Sequence, residues 1–358
     1  MPNRWLFAAL LPLLGVADSA RAQAQAGSQA ETGPAQTTAP ATAAAAAEIE
    51  VVVVSGRQPG PPLWRVLHGD NVMYIFPMLS PVPEKMEWDS ARVERVLAQS
   101  QQALLAPDVE AEFSTRILFN PINLFRGARL MNRLTANPGD ATLDEVLPPD
   151  LYARYRALKL RYFPRDDKPE EMRPVFAGGM LSERILREEG LDTGSGISKE
   201  IERLIRRTRG LVQTEIQVTA DFTGSFKTVA ARAEAFVASL SPEQERECFA
   251  QEIGRIENDL EEMKSRANAW ALGRIDQFRG IPLPGDINDV CEAMLFDSSE
   301  FETLDQLMTE LDRRWLEAAE RALAANASTF AILDIVELLR EDGLLAELRA
   351  RGYEVVEP

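Results

Sequence analysis

The chain has 358 residues, 45% of them hydrophobic, which is enough to bury a full core. Its 56 acidic side chains outnumber the 39 basic ones for a formal charge of −17, which argues against nucleic acid, because a phosphate backbone is bound by clustered Lys and Arg. Past the N-terminus no apolar run approaches the roughly 20 residues that a bilayer requires, so no membrane span is expected there.

Arg4 precedes the apolar run Leu6–Val16, and Ala20-Arg21-Ala22 supplies a small-x-small site. That is the layout of a signal peptide over residues 1–22, so export is expected, to a bacterial periplasm or beyond it, with cleavage favoured over a retained anchor because the run is short. Residues 23–48 are Ala, Gln, Thr, Gly and Pro with almost no branched aliphatic side chain. Such a segment buries nothing that offsets ordering entropy and reads as a disordered linker.

Ile49–Ser55 then reads as a strand and Arg57–Pro62 as a Pro/Gly turn. Leu63–Leu67 and Val72–Phe76 flank His68-Gly69-Asp70-Asn71 as two β-prone runs, so a hairpin opens the domain. Pro77 cannot donate to a ladder, so the second strand is expected to end there, with any chemistry at that exit. Asp89 precedes Val93, Val96, Leu97 and Leu104 at helical spacing. Asp150–Phe163 and Ile197–Arg209 are helices as well, the second stopped by Gly210. Leu211–Val218 alternates as one strand, with Gln213, Glu215 and Gln217 on the face opposite Val212, Thr214, Ile216 and Val218.

Ser241 as N-cap and Pro242 at N1 start the longest helix, which runs through Cys248 and Trp270 until Gly280 and Pro282 stop it. Phe301–Ala325 is a helix, Ser328–Leu333 a strand, Ile335–Arg351 a helix and Tyr353–Val356 a last strand. The expected fold is one α/β (α+β) domain over residues 49–358: a mixed β-sheet with packed helices and a long helical insertion. Cys248 and Cys291 are the only cysteines, and in an exported chain they read as a disulfide or as two buried thiols. Neither has a second Cys or a His at ligand spacing, so no metal is assigned to them.

The run L-W-R-V…G-D-N-V-M-Y-I-F with its proline-punctuated exit, and G-L-L-A-E-L-R-A-R-G-Y-E-V-V after a short apolar strand, resemble the two ends of the TraB/GumN family. The resemblance spans about Ile49 to Val356 and implies two G-x-x-H motifs, neighbouring strand glutamates and, in some members, metal-dependent protease or hydrolase chemistry. Here the first motif position reads Pro77-Met78-Leu79-Ser80 and the second Asp334-Ile335-Val336-Glu337, so both histidines are replaced. The matching strand carboxylate is lost at Ala106, while Glu215 lies near the family's second glutamate. Leu311 and Asp312 stand where the family often has an Arg-Asn pair ahead of a tryptophan, and Arg274 replaces an acidic residue.

The only histidine, His68, lies a strand's length from Pro77, some 25 to 30 Å at roughly 3.3 Å per residue. A His-based metal centre and a Ser-His-Asp arrangement are therefore set aside. Asp334 and Glu337 read either as an N-cap with its N3 partner or, with Glu215, as an all-oxygen centre for a hard cation or acid–base work. The expected function is that of an exported, catalytically degenerate relative of hydrolases that binds or assembles, with no metal and no cofactor. The alternative is an active hydrolase, such as a peptidase, whose candidate residues are Ser80, Glu215, Asp334 and Glu337.

Overall fold

The hairpin forms from Trp64–His68 (β1) and Asn71–Met78 (β2), paired from Trp64 opposite Ile75 to His68 opposite Asn71 around the Gly69-Asp70 turn. A computed structural model describes residues 58–113, 120–192, 196–278, 291 and 302–358. The expected leader, linker and Ile49–Ser55 strand, and the stop at Gly280 and Pro282, lie outside these residues. The remaining strands are Val82–Pro83 (β3), Gln102–Leu104 (β4), Asp108–Phe113 (β5), Leu191–Asp192 (β6), Val212–Thr214 (β7), Gln217–Phe222 (β8), Ser328–Asp334 (β9) and Glu354–Val356 (β10).

Six strands form one mixed sheet in the order β10-β1-β2-β9-β4-β7. The two joints on the β10 side are antiparallel and the other three are parallel. β9 lies at its centre, with Thr329–Leu333 buried throughout, as a parallel strand covered on both faces requires. β2 does not stop at Pro77: it runs to Met78, with Pro77 opposite Leu333 and Met78 opposite Asp334. A proline is tolerated there because β1 ends opposite Ile75, which leaves one edge of Phe76–Met78 without a strand to receive an N–H.

The helices are Ala91–Gln99 (α1), Pro121–Thr135 (α2), Leu143–Val146 (α3), Pro149–Tyr162 (α4), Pro174–Glu188 (α5), Gly196–Arg207 (α6), Phe226–Ser239 (α7), Pro242–Ala271 (α8), Glu302–Ala325 (α9), Ile335–Leu339 (α10) and Leu344–Ala350 (α11). α1 ends before Leu104, which belongs to β4 opposite Ala331. The helical spacing to Leu104 was coincidental: Gln101 N–H donates to the Ser328 carbonyl at 3.0 Å and takes the chain into the sheet. The expected strand Leu211–Val218 is two, β7 and β8, broken at Glu215 and Ile216. β7 extends the main sheet through β4, whereas β8 pairs β5 in a separate parallel ladder.

α8 is 30 residues long, about 45 Å at 1.5 Å per residue. Ser241 accepts from Gln244 N–H at 3.1 Å at its start. It ends at Ala271, earlier than the sequence suggests, because Gly273 takes φ 74° and the N–H groups of Gly273 and Arg274 turn back onto Trp270 and Ala269. Its first half packs Phe249, Ile253 and Ile256 with Tyr155, Leu181 and Ile185 of α4 and α5 in a helical core. Its last turn packs Ala267, Trp270 and Ala271 into the core of the sheet.

A disulfide joins Cys248 of α8 to Cys291, beside Val175 and Leu240. It closes a separation of 43 residues, which the chain-entropy account converts to roughly 4 kcal/mol. Reduction under native conditions, or Cys291→Ala, should lower the melting temperature by several degrees, read by circular dichroism with and without a thiol reductant.

Candidate functional site

The two motif positions meet where β2 and β9 end side by side, because Met78 stands opposite Asp334. In a parallel sheet this carboxyl-terminal edge is where chains turn outward and ligands are usually held. On the β2 side, Trp270 donates its indole N–H to the Pro77 carbonyl at 2.7 Å. The indole packs edge-on to Phe76 at 5.8 Å and to Trp88 at 5.9 Å, and Trp88 in turn donates to Glu200 at 2.8 Å. The incoming strap is tied to the same place, since Gly60 N–H donates to the Ala271 carbonyl at 2.8 Å. Gly60 has φ 79° and a Cβ there would meet the Trp88 ring at 2.6 Å, so the position accepts no side chain. Trp270 is thus a clamp on the strand exit. Ser80 follows two residues later, half-buried, joined to Pro81 by a cis peptide bond.

On the β9 side, Asp334 accepts from Val336 N–H at 2.8 Å and caps α10. Glu337 does not reach back as an N3 partner. Its Oε1 accepts from Leu344 N–H at 2.6 Å and its Oε2 from Arg340 at 3.1 Å. The expected helix Ile335–Arg351 is therefore two helices, with a corner at Arg340–Gly343 held by the Glu337 side chain. Gly343 makes that corner possible, because a Cβ on it would come within 2.5 Å of Glu337 Oε1 and 2.8 Å of the Glu337 carbonyl.

Sequence reasoning placed Asp312 only at a replaced family position and gave it no role; it is half-buried on α9. Its carboxyl is held above the ordinary carboxylate range, first by burial and then by the Glu337 charge, with Arg340 opposing. The clue was its place three residues before the fully buried Trp315.

Glu215 stands apart. It is exposed in the break between β7 and β8, and two strand spacings separate β7 from β9, roughly 10 Å. Ala106 sits at the matching level of the neighbouring strand, between Leu105 and Asp108, whose N–H groups donate to the Thr214 and Ile216 carbonyls. His68 is at the opposite end of β2, its ring 5.2 Å from that of Tyr353. The donors at the edge are thus the Ser80 hydroxyl, the Asp334 and Glu337 carboxylates that already accept backbone N–H groups, and the Asp312 carboxyl, whose ionisation is opposed; with no imidazole or thiolate among them they do not suit a transition metal. Among the described residues no three His, Cys, Asp or Glu side chains stand close enough to hold an ion, and no helix is long and apolar enough to cross a membrane.

A model of the TraB/PrgY/gumN family matches residues 62–357. No curated protein and no solved structure matches the chain.

Two stability measurements follow from this geometry. Glu337→Ala leaves Leu344 N–H without its acceptor and should cost about 1–3 kcal/mol, whereas Glu337→Gln retains an acceptor oxygen and should cost less; Gly343→Ala should cost about 1–3 kcal/mol by overpacking. Denaturant titration of the three variants tests the order. Asp312→Asn should act in the other direction: a carboxyl whose folded pKa lies above its unfolded value costs stability once ionised. The variant should therefore be more stable than the parent near about pH 7 and equal to it below about pH 3.5, where both states are protonated.

Proposed function

We propose that this chain, which belongs to the TraB/PrgY/gumN family, is an exported member that acts by binding or within an assembly and not by metal-dependent hydrolysis. The observation that carries the reading is Glu337. At the position of the second motif histidine it holds the corner between α10 and α11 through Leu344 N–H and Arg340. A carboxylate that accepts an N–H on one oxygen and a guanidinium on the other is oriented by those donors and has its charge balanced by Arg340, which makes it a poorer ligand for a cation than a free carboxylate. The first motif position supports the same reading, because Pro77 replaces a flexible glycine and its carbonyl is taken by Trp270.

One observation favours the second reading, a hydrolase with a carboxylate-only centre. Asp312 is kept proton-hungry by burial and by Glu337, which is how a general acid is prepared. Purified protein decides between the two through its melting temperature with and without millimolar Mg²⁺, Mn²⁺, Ca²⁺ or Zn²⁺, alongside hydrolysis of a casein-derived peptide mixture. The binding reading expects no metal-dependent rise and no metal-stimulated cleavage. A rise that Glu337→Gln and Asp312→Asn both abolish would favour the hydrolase, since a cation that binds only the folded state must stabilise it.

A further inference from the structure

We infer that the arm formed by α2 and α7 docks on an anionic lipid surface. β5 and β8 continue β4 and β7 through the Leu105–Thr214 and Asp108–Ile216 hydrogen bonds. They therefore carry the ladder past the carboxyl-terminal edge of the main sheet. Val109 and Val218 still pack on the main core, and α2 returns to bury Met131, Leu134 and Thr135 at its far end. The first turn of α2 is consequently the outer tip. Asn120 caps it, accepting from Ile122 N–H at 2.9 Å, and Gly127 packs toward Phe226 of α7.

That tip is apolar and open to solvent: Pro121 is exposed, and Ile122, Leu124 and Phe125 have 60%, 49% and 64% of their surface accessible. At about 100° per residue the three large side chains spread over about 160° of the helix circumference, too wide for the narrow seam that a groove in a partner protein receives. A fluid apolar phase accepts such a tip from all its sides. Arg126, Arg129 and Arg133 follow within about 60° of one another, and α2 has no acidic residue in a chain of net charge −17. Arg133 pairs with Glu234. Among the described residues, Arg126 and Arg129 have no carboxylate partner, and Arg129 lies 5.8 Å over the Phe125 ring. The groove between α2 and α7, floored by Leu130, Phe226 and Ala230, opens beside these arginines. With the tip inserted, Arg126 and Arg129 stand about 6 and 10 Å above Ile122 at 1.5 Å per residue. Interfacial segments bury their apolar side chains about 5–10 Å deep, so the guanidiniums reach the phosphates. The net charge of −17 opposes close approach of most of the surface to an anionic membrane, which favours approach by the arm.

The test is co-sedimentation of the purified full chain with vesicles of phosphatidylcholine alone and with phosphatidylglycerol added, at low salt and at half-molar NaCl. The quantity read is the excess binding to the anionic vesicles, because an N-terminal apolar run would bind both alike. That excess should be present, should fall with salt, and should drop about tenfold or more in R126E/R129E and in I122S/F125S. R126K/R129K should retain most of it and serves as the folding control, with melting curves for all variants. No excess for phosphatidylglycerol, or an excess that neither double variant reduces, overturns the inference. So does a change of oligomeric state in I122S/F125S with vesicle binding unaltered, since the tip would then be a protein interface.

Discussion

The hydrogen bond from the Trp270 indole to the Pro77 carbonyl is the constraint on which the arrangement depends. A proline in an inner strand needs its local edge free of a ladder, and an edge so freed leaves a carbonyl inside the fold without a partner. Trp270 fills both needs: its ring covers Phe76 and its N–H satisfies the carbonyl. The same residue closes α8, whose other half packs the helical core, so the sheet and the insertion are registered to each other through one helix. The buried Arg173–Glu245 pair fixes the opposite end of α8 to the start of α5. Such a pair orients the helices more than it stabilises them.

Where β9 ends, carboxylates do the work that backbone geometry demands. Asp334 caps α10 and Glu337 caps α11, so the N–H groups of Val336 and Leu344 are met where one short helix gives way to the next. Asp312 is different, since burial and a neighbouring like charge both oppose its ionisation.

The arm adds a second direction to the molecule. It leaves by the edge that carries Pro77 and Asp334, so whatever holds the arm also sets how that edge faces its surroundings. A basic, apolar-tipped projection on a chain of net charge −17 favours one orientation of approach to an anionic surface. Neither role bears on how the sheet folds.

The hairpin, the long helix with its Ser241 cap and the two family-like ends were legible in the sequence because each is governed by local rules: alternation, capping and the turn chemistry of Gly69-Asp70. The cysteine pairing was legible as one of two options. Boundaries set by contacts distant in sequence were not. Pro77 stays in its strand because β1 stops short of it, Leu104 leaves its helix because Gln101 reaches Ser328, and Glu215 sits in a break because β8 has its own partner in β5. The family resemblance singled out Asp334 and Glu337, and their spacing read as that of carboxylates at a strand-to-helix junction. Whether they cap or coordinate was a question of which N–H groups lie within reach, and that is decided only when Leu344, seven positions along the chain, folds back onto Glu337.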